Sequence, residues 1–164
     1  MDWTKQLGRY VVVMLLQVLL FNQLQLFGVC HPYIYVMCLL MMPITLPHSV
    51  DMVIGAVIGL IMDVFCNSLG IHMAGCILIM FLRPYVLGTI INDKERLNEQ
   101  INQHTIGMEA MIKYVAILVP IHHLTVFALG AWSWAHIGFV LLETVVSSLI
   151  TIAIVVGYNS LRYR

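Results

Sequence analysis

The stretch Val50-Asp-Met-Val-Ile-Gly-Ala-Val-Ile-Gly-Leu-Ile-Met-Asp-Val-Phe65 is followed by the turn residues Asn67, Ser68 and Gly70, and then by a second apolar run, Ile71 to Ile91. Two long apolar runs joined by a few turn residues read as a pair of membrane helices. The rest of the chain has the same character. Of 164 residues, 61% are hydrophobic and 10% charged, and the mean hydropathy is +0.94. Soluble domains are about 45–50% apolar and about 25% charged, and a soluble chain this short could not hide so much apolar surface in one core. The composition excludes a soluble enzyme, an extracellular module and a disordered protein, and leaves a polytopic membrane protein in the lipid bilayer. Eight Lys+Arg balance eight Asp+Glu, so no basic field points to nucleic acid.

Working outward, four further runs appear: Tyr10 to Phe27, Tyr33 to Leu46, Met111 to Trp132 and His136 to Tyr158. The first, preceded by Lys5 and Arg9, starts like a signal peptide. Asn22, Gln23 and Gln25 stand where a small-x-small cleavage site would follow, so a retained first helix is expected. The second run is short, since about 14 residues reach only about 21 Å as a helix, and it closes on Pro43 and Pro47. Charge placement decides its reading. With six crossings, Lys5, Arg9, Lys94, Arg96, Lys113, Arg162 and Arg164 all fall on one side, and the loops on the other side carry no Lys or Arg. The positive-inside rule then predicts an all-α, single-domain protein over 1–164 with six transmembrane helices, both termini cytoplasmic and a cytoplasmic interval at 92–110. Trp132, Trp134 and Tyr33 would mark the outer interface, and Tyr10, Tyr158 and Tyr163 the inner one.

Three formal charges lie well inside the runs: Asp63, Arg83 and Glu143. Each costs about 2.5–3.5 kcal/mol at a lipid-facing helix centre, so each should face protein or water. Counting from the expected helix ends places Asp63 roughly 6 Å, Glu143 roughly 12 Å, His122 and His123 roughly 15 Å and Arg83 roughly 20 Å below the outer edge. Arg83, Glu143 and one histidine are therefore expected to share a buried polar layer. Adjacent residues on a helix diverge by about 100°, so one of His122 and His123 should face it. Glu143, Ser147 and Thr151 recur every four residues as a polar stripe, and Pro120 frees the carbonyl of Ala116. A structural ion pair that fixes helix register is the plain reading of this layer. A ligand or partner site and a proton relay are the sharper ones.

Gly55 and Gly59 form a G-x-x-x-G pair that lets another helix approach closely, within the chain or from a partner. Leu97 and Ile101, four apart among charges, suit a short interfacial helix. Cys30, Cys38, Cys66 and Cys76 read as small apolar residues, and no Cys/His spacing suggests a metal. No H-E-x-x-H, G-x-S-x-G or Walker A pattern occurs, so no catalytic, cofactor or metal residue is assigned, and an intramembrane hydrolase built on the histidines and Glu143 has too little to stand on.

From Leu46 to Gly70 the chain resembles the central motif of the MreD family of bacterial rod-shape-determining membrane proteins: a Pro-ended second span, a Gly-rich third span, an Asp and a Leu-Gly turn. The matching positions are Pro47, His48, Gly55, Gly59, Asp63, Leu69 and Gly70. Elsewhere the resemblance is general, and the His122-His123 pair and the 92–110 interval are not carried over from it. The resemblance implies a non-enzymatic plasma-membrane component of the cell-elongation machinery. It would bind the single-pass protein MreC and, through it, be linked to the MreB cytoskeleton and the RodA–penicillin-binding-protein peptidoglycan synthase. It also implies a helical arrangement similar to the substrate-binding subunits of energy-coupling-factor transporters, so a small-molecule-binding membrane subunit is the alternative. On this reading Gly55 and Gly59 make close helix contact, and Asp63 braces the outer turn near Gly70, where a partner's membrane-proximal segment could dock. Arg83 and Glu143 hold the fourth and sixth spans together, with His122 and Ser147 in the same buried network.

Overall fold

The computed structural model describes residues 3–23, 28–42, 47–91, 101–131 and 134–162. Its regular elements are helices: α1 Trp3–Leu19, α2 Val36–Leu40, α3 His48–Cys66, α4 Ile71–Ile90, α5 Gln103–Ile106, α6 Met108–Ala131 and α7 Ile137–Arg162, with 3-10 turns at Phe21–Gln23 and Trp134–His136. Among the described residues α3, α4, α6 and α7 are long and apolar enough to cross a membrane, and Leu7–Gln23 is a shorter apolar helix. Exposed Val53, Val57, Leu60 and Val64 on α3, and Leu141, Leu142, Val145 and Leu149 on α7, form the apolar outer faces that a bilayer solvates. Gly8 and Arg9 of α1 line the same groove as Tyr158 of α7, so the two ends of the described chain lie at one end of the bundle.

Helix α3 packs on α4, α4 on α6, and α6 on α7. The first contact depends on missing side chains. A Cβ at Gly59 would stand 2.4 Å from the Met73 Cα, and one at Gly55 would stand 2.8 Å from the Met80 Cγ. Both glycines thus face α4 of the same chain. The turn between these helices uses two left-handed residues, Asn67 at φ 52° and Gly70 at φ 80°, which Asn and Gly tolerate best.

The second apolar run departs from a spanning helix. Among its described residues Val36–Leu40 is the α-helical part; residues 31–33 are irregular and lead through a turn into it. Pro32 lacks an N–H and biases His31 away from helical geometry. Every residue from Ile34 to Met42 is buried. The His31 N–H meets Ser147, and Met41 meets Asn159, twelve positions further along α7, so this broken segment runs through about 18 Å of the bundle's depth. Its expected remainder to Leu46, like residues 24–27, 92–100 (including Leu97), Trp132 and Tyr163, lies outside the described residues. In the 101–110 stretch, Ile101 and Ile106 are buried in the core, and Asn102 begins α5 with a reciprocal cap to Thr105.

Gly59→Ala forces Cβ into the Met73 backbone, which cannot rotate away. We expect a loss of about 1–3 kcal/mol, read as a lowered melting temperature in detergent. Gly88→Ala, where the added Cβ meets nothing within 4 Å, should show no such loss.

Candidate functional site

A broken helix leaves backbone donors and acceptors without partners, and in hydrocarbon each costs several kcal/mol. Side chains from four helices meet this need around residues 31–42. From α1, the fully buried Gln17 accepts from the N–H groups of Ile34 (2.7 Å) and Tyr35 (3.4 Å) and donates to the Pro32 carbonyl (3.2 Å). From α7, the Ser147 hydroxyl accepts from the His31 N–H at 2.9 Å. At the other end of the segment the Leu40 carbonyl accepts from the Tyr114 hydroxyl of α6 (3.0 Å) and from the Arg83 guanidinium of α4 (3.4 Å). Arg83 also donates from Nε to the Tyr114 oxygen at 2.9 Å and lies 3.9 Å from Asp51 in the first turn of α3.

Nearer the α3–α4 turn, the Tyr35 hydroxyl joins two imidazoles, at 3.0 Å from His72 Nδ1 and 2.8 Å from His122 Nε2. One hydroxyl proton serves only one of them, so the other ring must donate. His122 Nδ1 is buried without a partner. The tautomer of a neutral His122 that buries no orphan N–H carries its proton on Nε2 and donates to Tyr35, which then donates to His72. His123 points elsewhere: its Nδ1 lies 2.9 Å from the Val119 carbonyl and its Nε2 3.2 Å from the Thr151 hydroxyl. The Tyr33 ring packs against His72, His123 and Phe127 at 4.9, 5.2 and 5.7 Å. Asp63 closes this level from α3. Its carboxylate accepts from the N–H groups of His72 (2.9 Å) and Met73 (3.0 Å) and from the Ser68 hydroxyl, so it binds the free first turn of α4.

Above this level a cavity of about 580 Å³ opens between the 3-10 turn at Phe21–Gln23, residues 31–33 and the facing ends of α3, α4, α6 and α7. Tyr33, His72, Phe127 and Glu143 are among its walls. The Glu143 carboxylate stands 3.8 Å from His31 Nε2, and His31 packs on Phe127 with ring centres 6.1 Å apart.

The single layer expected for Arg83, Glu143 and one histidine is therefore three separate levels. The expected Arg83–Glu143 pair is not formed: Arg83 meets Tyr114, Leu40 and Asp51, whereas Glu143 meets His31 at the cavity. Both histidines of the pair are buried, His122 toward Gly75 and Cys76 of α4 and His123 toward α7. Gly55 and Gly59 contact α4 rather than a free surface, and Gly70 begins that helix. Sequence reasoning gave no role to Gln17, Tyr35, Asp51 or Tyr114, and named His72 only among the groups that could line an outward pocket. The signal available was a polar residue inside an apolar run, clearest for Gln17. The four cysteines are free, and among the described residues no three His, Cys, Asp or Glu converge as a metal site.

Long apolar helices enclosing a hydrogen-bonded broken segment define a multi-pass helical membrane protein. The family model for rod shape-determining protein MreD matches residues 5–159, and the chain belongs to that family. No curated protein and no solved structure matches it.

Double-mutant cycles separate the levels. Combining Arg83→Met with Asp51→Asn should give a coupling on the order of 0.5–3 kcal/mol in thermal or denaturant unfolding, whereas Arg83→Met with Glu143→Gln should add to within about 0.5 kcal/mol.

Proposed function

We propose that the chain is a non-enzymatic scaffold of the bacterial elongation machinery in the plasma membrane, binding MreC and, through it, serving MreB and the RodA–penicillin-binding-protein synthase. Membership of the rod-shape-determining family supports this role. The observation that carries the scaffold reading is a bundle interior filled by the chain's own residues 34–42. An interior packed in this way leaves the outer faces and the rim to do the work. Six passes, with both termini cytoplasmic, complete the proposal. Helix α1 and the broken segment would add two crossings to the four long helices, and the nearness of Arg9 to Tyr158 suits termini on one side.

The docking surface is placed at the outer α3–α4 turn. Leu69 is 94% exposed there, beside the Asp63-braced helix start, and an exposed leucine at a rigid turn suits contact with a partner's membrane-proximal segment. The alternative, a small-molecule-binding subunit, draws its support from the outward cavity.

MreC should co-purify with the tagged wild-type chain. Leu69→Asp alters a side chain with almost no packing, so it should keep the melting temperature while lowering MreC recovery several-fold. Undiminished recovery would remove this turn from the interface, and failure of the wild type to retain MreC would sink the scaffold. Reporters fused at the two termini should both read cytoplasmic.

A further inference from the structure

Among the described residues, the acid at the outer cavity has no hydrogen-bond partner. The Glu143 side chain is 15% exposed, and its ionic contact, His31 Nε2 at 3.8 Å, is too long for a hydrogen bond. A carboxylate drawn partly out of water is stabilised by a cation that joins it. Among the described residues no Lys or Arg lines the cavity; the other ionisable lining groups are His31, His72 and His136 with Tyr33 and Cys66. Tyr33 and Phe127, with ring centres 5.7 Å apart, line the space together with Phe21, Phe65 and Phe139.

A carboxylate in an aromatic-lined cavity suits an organic cation, since the carboxylate accepts charge-assisted hydrogen bonds and rings supply cation–π attraction. The volume of about 580 Å³ falls within the range of about 300–1,000 Å³ usual for small-ligand sites. The geometry points to a binding site for a primary ammonium or guanidinium carried on an apolar or aromatic stem, with the cation at Glu143 and the stem along Tyr33 and Phe127. The same chemistry is offered by a free amine and by a Lys or Arg side chain of a neighbouring polypeptide. The inference stands independently of the scaffold proposal.

Tyramine and its neutral analogue tyrosol, which carries a hydroxyl in place of the amine, are the probes. With the purified protein in detergent, millimolar tyramine should raise the melting temperature by on the order of 2–4 °C, and tyrosol should not. Glu143→Gln should fold, as judged by circular dichroism and gel filtration, and lose the tyramine shift. Should that variant not fold, the comparison of tyramine with tyrosol on the wild type decides alone. Equal shifts from the two compounds, no shift from either, or a tyramine shift undiminished in the folded Gln variant would overturn the site. If tyramine displaces the partner recovered with the chain, the natural cation is a side chain; if it binds without displacement, a free amine. Recovery of MreC in the absence of any tyramine effect would leave the scaffold reading standing and remove only the cation site.

Discussion

Non-helical backbone at membrane depth is tolerated only where protein supplies the hydrogen bonds that water supplies elsewhere. Residues 31–42 impose that condition on the whole bundle. Pro32 keeps the start of the run irregular, and the resulting free groups at Pro32, Ile34, Tyr35 and Leu40 are met by Gln17, Arg83 and Tyr114. Each of these side chains would be a liability on an isolated helix in lipid. Placed against the broken segment, each offsets its own desolvation and that of the backbone together. Three helices are thereby tied to one strand of chain, and Ser147 adds a fourth through His31.

The close packing of α3 on α4 supports the same arrangement from outside. Gly55 and Gly59 let the two backbones approach, so that Asp63, near the end of α3, reaches the free N–H groups of His72 and Met73. Fixing the start of α4 fixes the height of His72, which in turn bonds Tyr35 of the broken segment. The MreD-like motif at residues 46–70 therefore does more than join two helices. It sets the register of α4, and through α4 the height at which Arg83 meets Leu40.

Composition and the long apolar runs made the helical membrane class and the α3–α4 hairpin legible, because these depend on local pattern and length. The glycine spacing likewise predicted a close helix contact, although it could not say on which helix. The partners of Arg83 and Glu143 were not legible. Counting residues at 1.5 Å each gives depth along a helix, but pairing also depends on azimuth and on which helices are neighbours. Arg83 faces Asp51 and Tyr114, which no local pattern relates to it. The broken segment was hidden for a different reason: an apolar run bounded by prolines looks alike whether it is one helix or a short helix with an irregular lead. Only the partners of its backbone, Gln17 above all, distinguish the two.

The separation of polar groups into levels also separates their roles. Arg83 and Asp51 are each at most 3% exposed and enclosed by protein. A buried pair of this kind adds little stability over apolar packing, and its recognised use is to specify register. Here it fixes the register of Leu40 against α4 and α6. Glu143 belongs to the other class, because it lines an open cavity. The side chains that hold the broken segment are enclosed by protein, whereas an acid at the cavity wall can be reached from outside. The inner levels thus maintain the architecture, and the proposed interaction chemistry falls to the rim, where Glu143 and the exposed Leu69 lie beyond the closed core.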